Sequence, residues 1–321
     1  MIGYLRPLLI IVLFASVSAA RDEAKPERTR DVIYGRKHGL ALTMDVFTPK
    51  KPNGFGVVAV VSGGWFSDTK SIIVAFYQEL IDRGYTVFAV VHGSQPKFTL
   101  PEIIEDMHRA VRFVRHNAKK YKIDAERLGI MGASAGGHLS LMMGTSGTKG
   151  DPKASDAVDR ESSTVQAVAC FFPPTDFLNY GKKGIEMIDR QFQPPFTAAV
   201  DYQEFDRKKA LYQRITDKDK LREISKQVSP ISHLKKTSAP SLLISGDKDK
   251  LVPFQQSVCF VDRCKELGVP AKLETREGAG HGWVTILLDL PLFADWFDLH
   301  LRKIEKKADQ DTDKRQSKKS R

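Results

Sequence analysis

Cysteine is scarce in this 321-residue chain, which carries only Cys170, Cys259 and Cys264. So small and odd a number excludes a disulfide framework. Cys259 and Cys264 lie five apart in a helical pattern, which suits neither a bridge nor a metal site. All three read as buried thiols acting as small hydrophobes. No His/Cys cluster has zinc spacing, and neither a metal nor an organic cofactor is expected. Long hydrophobic runs are also lacking. The apolar stretch Leu8–Phe14 has seven residues, too few to span a bilayer. Internal repeats are absent. The basic C-terminal stretch LRKIEKKADQDTDKRQSKKSR has no interleaved aromatics, which argues against nucleic acid as a partner.

What is present is ordinary globular composition, 41% hydrophobic and 28% charged. The formal net charge is +11, and the final stretch holds nine Lys/Arg against four Asp/Glu, about half of that excess. Such a run reads as a solvated tail. At the other end, MIGYLRPLLIIVLFASVSAA has a basic Arg6, a short apolar core and small residues Ser18-Ala19-Ala20 before a charged segment. This is the pattern of a secretory signal peptide, and it implies a secreted or periplasmic protein. A retained N-terminal anchor is the alternative. The division expected is therefore a signal at 1–20, a linker at 21–31, a domain at 32–306 and a basic tail at 307–321.

Within the domain, Val/Ile-rich runs alternate with helical periodicity. VIYGRKHGLALTMDVFTP predicts two strands joined by a glycine turn. GVVAVV (56–61), TVFAVVH (86–92), RLGIMG (127–132), VQAVACFF (165–172), PSLLIS (240–245) and AKLETRE (271–277) predict further strands. Between them the spacing predicts helices at 71–83, 101–120, 135–144 closed by Gly144, Pro253–Leu267 and 285–306. Strands separated by helices imply an α/β fold, a mostly parallel sheet with helices on both faces and an antiparallel hairpin at its edge. Residues 145–164 read as a polar loop. Residues 173–239 show no clear strand and are too long for an ordinary connection. They predict a helical insertion over one end of the sheet.

One nonapeptide carries chemistry. IMGASAGGH (130–138) places Gly132, Ser134 and Gly136 as G-x-S-x-G. That spacing arises by chance in about one chain in ten of this size, so alone it decides little. Its setting decides more. The serine falls between a buried strand and a helix, the strand–turn–helix context of a nucleophile elbow. Side chains two before and two after would collide with strand and helix, which accounts for both glycines. The helix N-terminus aims free N–H groups at charge developing near Ser134.

A serine nucleophile needs a base, and the base needs an acid to orient it. Beyond the adjacent His138, the histidines after Ser134 are His233, His281 and His300. His281, in the glycine-rich EGAGHGW after the last strand, is preferred as the base. His233 closes the insertion, and His300 lies within the final helix. His138 is expected to pack. LLISGDKDKLVP offers Asp247 and Asp249 at the carboxyl edge of a strand, where sites of open α/β sheets form. The residues alone do not separate these two. AVVSGGWFS places Gly63 and Gly64 directly after a strand, so their N–H groups can approach a substrate oxygen. The N–H of Ala135 is the third candidate donor.

Taken together, VSGGW, GASAGGH, SGDKDKLVP and GAGHGW make residues 32–305 resemble an α/β-hydrolase. The resemblance is greatest to bacterial acetyl/feruloyl-esterases and hormone-sensitive-lipase-like carboxylesterases. It implies a serine carboxylesterase of small-molecule or polysaccharide esters, with short acyl groups such as acetyl. It also implies Asp249 as the acid, because the family uses the second aspartate of G-D-x-D-x-x-V-P. There is a departure. The family's oxyanion strand ends HGGGW or HGGAW, whereas Val61 and Ser62 replace the histidine and first glycine here. The support of that loop therefore does not carry over. The relatives' tyrosine-arginine segment is likewise altered to HGSQP (92–96), which makes His92 a candidate to face the site. Trp65, Phe192 and Phe196 are further substrate-binding candidates. Tyr202 and Phe205 join the last two as insertion residues expected to set acyl and alcohol preference. The competing functions are a prolyl-oligopeptidase-like peptidase and a non-catalytic binding module. The first sits badly with the small Ala135 and with a chain too short for a propeller. The second sits badly with a complete candidate triad.

Overall fold

The computed structural model describes residues 26–187 and 196–304. The signal expected at 1–20, the tail expected at 307–321 and Phe192 lie outside the described residues.

Eight strands form one sheet: β1 (Glu27–Lys37), β2 (Leu40–Thr48), β3 (Gly56–Val61), β4 (Thr86–Val91), β5 (Leu128–Ala133), β6 (Ala167–Phe171), and, after a small hairpin, β9 (Ser241–Gly246) and β10 (Ala271–Arg276). Their order is β1-β2-β4-β3-β5-β6-β9-β10. β2 pairs antiparallel with both β1 and β4, and every later pair is parallel. The α/β expectation with its antiparallel edge holds. β3 and β5 are buried along nearly their whole length because helices cover both faces. The helices are α1 (Gln78–Asp82), α2 (Leu100–His116), α3 (Ala118–Tyr121), α4 (Ala135–Ser146), α5 (Lys218–Gln227), α6 (Gln255–Leu267) and α7 (Leu290–Phe297). Two apolar cores result. One joins α2, α4 and α6 to one face of the sheet; the other joins α1 and α7 to the opposite face.

Several elements depart from the sequence expectation. The first strand begins at Glu27, inside the stretch expected to be linker. The segment 71–83 is not one helix: it follows a 3₁₀ turn ending at Ser71 and holds a second at Val74–Phe76 before the short α1. Gly144 does not close α4. It lies inside the helix, where a Cβ would come 2.6 Å from Val168 Cγ2, so glycine here lets the helix approach β6. The final helix breaks into a 3₁₀ turn, α7 and a π turn over Asp298–Arg302. Asp298 there receives hydrogen bonds from Arg83, Tyr85 and Arg302.

The largest correction is the insertion. It is not purely helical. It contains a two-stranded hairpin, β7 (Gln203–Asp206) and β8 (Leu211–Arg214), followed by α5. Each strand has four residues and is largely exposed, so no buried alternation marks it in the sequence. The hairpin is held by its ladder and by the Phe205–Tyr212 cross-strand pair, with ring centroids 5.3 Å apart.

Candidate active site

The β5–α4 turn puts Ser134 at the N-cap of α4 with φ 53° and ψ −119°. A non-glycine residue pays strain there, so the surroundings must hold it. Ser134 N donates to Phe171 O at 2.9 Å, which ties the turn to the end of β6. The flanking glycines are required sterically. A Cβ on Gly132 would meet the Gly136 carbonyl at 2.4 Å, and one on Gly136 would meet Val60 O at 2.9 Å.

The loop after β10 brings His281 over this turn. Its Nε2 lies 2.9 Å from Ser134 Oγ, and its Nδ1 lies 2.7 Å from Asp249 Oδ2. The side chain of Asp249 is fully buried. Its other oxygen, Oδ1, accepts from Leu251 N and Val252 N, both at 2.9 Å. The carboxylate is thus fixed by two backbone donors and presents one oxygen to the imidazole. With a carboxylate on Nδ1, that nitrogen carries the proton and Nε2 is free to accept from the serine. The Phe172 ring packs against His281 with centroids 4.4 Å apart.

Asp247 is separated from this chain of bonds by geometry. Its Oδ1 accepts from Gly278 N at 2.7 Å, so it holds the loop leading to His281 and does not touch the ring. Gly246 lets the two loops meet, since a Cβ would come 2.3 Å from Ala279 O. His233 bonds to Gln227 O within the insertion, and His300 packs at a tilt against Trp296. His138 packs as expected. It is buried, accepts from Trp65 Nε1 at 3.2 Å and donates to Val228 O at 2.7 Å. Burial pulls its pKa down to about 4.

The three candidate oxyanion donors differ. Gly63 N donates to Phe66 O at 3.0 Å, so its N–H is already engaged. Gly64 and Ala135 have no acceptor for their N–H groups among the described residues. Both line a cavity of about 260 Å³ with Ser134, His281, Trp65, Phe196, Pro174, Tyr180, Leu251 and Val252. Phe196 lies against Gly64, where an added Cβ would come 2.1 Å from its ring. Trp65 is 3% exposed, so it forms a wall and offers no free hydrogen-bond donor. His92 is corrected as a substrate contact. It is buried, does not line the cavity, and bonds to Ser62 and Gly93. Tyr202 and Phe205 do not line it either. Sequence reasoning missed Pro174, Tyr180, Leu251 and Val252. The last two were within reach, because they follow Asp249 in the same motif. Among the described residues no group of His, Cys, Asp and Glu is arranged to hold a metal ion, and no helix is long and apolar enough to cross a membrane.

Residues 44–264 match the BD-FAE family model. The chain belongs to the BD-FAE family. It is 29% identical over 262 residues to esterase LipC of Mycobacterium tuberculosis, covering 79% of this chain and 59% of LipC. It therefore spans less than two thirds of that relative's length. A truncated carbohydrate esterase from gut microbiota superimposes with a TM-score of 0.71 at 24% identity, covering 88% of this chain and 98% of the other. The thermophilic esterase Est2 of Thermogutta terrifontis gives 0.67 at 20% identity, covering 90% and 96%. These likenesses establish the α/β-hydrolase fold.

Proposed function

We propose that this BD-FAE protein is a secreted or periplasmic serine carboxylesterase acting on esters of short acyl groups. The observation that carries the proposal is the continuous relay from Asp249 through His281 to Ser134, ending in a cavity where two backbone N–H groups lie unused. In this account His281 Nε2 takes the Ser134 proton as Oγ attacks the ester carbonyl. Asp249 steadies the imidazolium that forms. The negative oxygen is received by Gly64 N–H and Ala135 N–H, the latter backed by the positive end of α4. His281 then protonates the departing alcohol. An acyl-serine remains, and water activated by the same histidine releases the acid. No step calls for a metal or organic cofactor.

The cavity supports a short acyl group. At about 260 Å³ it lies below the usual range of drug-sized pockets, roughly 300–1,000 Å³. Its walls are Trp65, Pro174, Tyr180, Phe196, Leu251 and Val252, which suit an apolar acyl chain. A carbohydrate as the alcohol is favoured by the likeness to the gut carbohydrate esterase and by the secretory pattern at the N-terminus. The test is a panel of p-nitrophenyl esters from acetate to octanoate, with acetylated polysaccharides and proline amides. Wild type and Ser134→Ala are compared. Turnover of short esters by wild type alone supports the proposal; amide cleavage or Ser134-independent turnover overturns it.

A further inference from the structure

The oxyanion loop of this chain is entered through Val61 and Ser62, in place of the histidine and glycine that the resemblance implies. We propose, resting on the esterase assignment above, that Gln95 is a positioning residue that fixes the Gly64 N–H at the oxyanion site.

The bond between Gly63 and Gly64 is trans, so its C=O and N–H point in opposite directions. Gly63 O accepts from Phe66 N at 3.0 Å, and this bond sets where Gly64 N–H points. Gly64 itself sits at φ 55°, a conformation from which glycine moves readily. The direction persists only if the next peptide is held as well. Gln95 holds it. Its side-chain Nε2 donates to Gly64 O, and its backbone N donates to Trp65 O at 3.2 Å. One residue thus secures two consecutive carbonyls of the loop.

The side chain is 2% exposed, and its Oε1 has no hydrogen-bond partner among the described residues. A half-satisfied buried amide is unfavourable in a core, so its one bond marks what the residue contributes. The orientation is not arbitrary. Reversing the amide would set its oxygen against Gly64 O, and only the NH₂ end can face a carbonyl.

The base of the loop is braced from the same segment. β4 lies beside β3, with Val91 opposite Val61. His92 therefore emerges next to Ser62. Its Nδ1–H donates to Gly93 O at 2.8 Å, so Nε2 accepts from the Ser62 hydroxyl at 2.9 Å. Ser67 Oγ donates to Val61 O and accepts from His92 N. The stretch His92–Gln95 in β4's exit loop thus braces the Val61–Trp65 loop from a neighbouring strand.

The test compares wild type, Ser134→Ala, Gln95→Met and Gln95→Glu on p-nitrophenyl acetate, with thermal melts of each. Outright loss of one oxyanion donor lowers kcat by about 10²–10³. A donor that is merely loosened should cost about tenfold or more. The proposal expects Gln95→Met to lower kcat by that factor with KM within about twofold. It expects Gln95→Glu to be worse than Gln95→Met, because the isosteric carboxylate turns a donor into an acceptor facing Gly64 O. A residue that only filled space would leave kcat unchanged in Gln95→Met, whose side chain has nearly the same volume. An unchanged kcat in a folded Gln95→Met, or a loss wholly in KM, overturns the proposal while leaving the esterase assignment intact. A wild type without Ser134-dependent turnover overturns both.

Discussion

Replacing Asp249 by asparagine probes the relay at the point where the structure constrains it most. The two oxygens of Asp249 have different duties. Oδ1 accepts from Leu251 N and Val252 N, and Oδ2 faces His281 Nδ1 at 2.7 Å. An asparagine must keep its oxygen toward the two backbone donors, so its NH₂ faces the imidazole. Nδ1 is then forced to accept, and the ring proton moves to Nε2, directly opposite Ser134 Oγ. The histidine can no longer take the serine's proton. The same tautomer error in a serine protease lowers kcat by about 10⁴. At 1.36 kcal/mol per decade this is about 5.5 kcal/mol of transition-state stabilisation. The folded state should lose less. The variant exchanges three charge-assisted hydrogen bonds for neutral ones, at most about 1 kcal/mol each and partly offset because a charge is no longer buried. The assay is kcat on p-nitrophenyl acetate beside a urea denaturation curve. A variant retaining more than a tenth of wild-type kcat would refute the reasoning, as would a loss of activity matched by an equal loss of stability.

Other consequences follow from the cavity and from its buried surroundings. Phe196→Ala should enlarge the acyl side of the 260 Å³ cavity and raise the butyrate-to-acetate ratio of kcat/KM by about tenfold, since each methylene in an apolar pocket is worth roughly 1–3 kcal/mol. An unchanged ratio would place the acyl group elsewhere. Acid should destabilise the fold through His92 and His138. Burial lowers both from the usual 6.5 to about 4, so the unfolded chain binds more protons between those values. Their contribution is full above pH 6.5 and is lost as pH falls toward 4, by up to about 3 kcal/mol each. His108 shifts in the same direction, whereas burial raises Asp106, whose protonation works against the trend. The urea midpoint should fall steadily from pH 7 to pH 4.5; a midpoint that stays level to pH 5 contradicts this.

The parts of the site that were legible in the sequence are those encoded within one short segment. Ser134 stands between a buried strand and a helix, and its two glycines answer to the contact of Gly132 with Gly136 and of Gly136 with Val60. His281 was legible because a glycine-rich loop after the last strand can reach the sheet edge. Asp249 was not separable from Asp247 without the family motif. The two lie two residues apart, and only the folded loop shows one bound to Gly278 N and the other to His281. Gly63 and Gly64 could not be distinguished either, because what separates them is the bridge from Gly63 to Phe66. The role of His92 depends on strand order, which puts β4 beside β3. The β7–β8 hairpin was hidden because short exposed strands bury no alternating face. Gly144 was misplaced as a helix end because its reason lies in Val168, across the helix–sheet contact.

The central claim is that Ser134 is a nucleophile activated by His281. The most direct measurement treats wild type, Ser134→Ala and His281→Ala with an organophosphate ester such as paraoxon, then locates the adduct by peptide mass spectrometry. The account predicts one diethylphosphoryl group on Ser134 of wild type, none on Ser134→Ala, and labelling slowed by at least about 10³ in His281→Ala. An unlabelled wild type, or equal labelling in all three proteins, would contradict it.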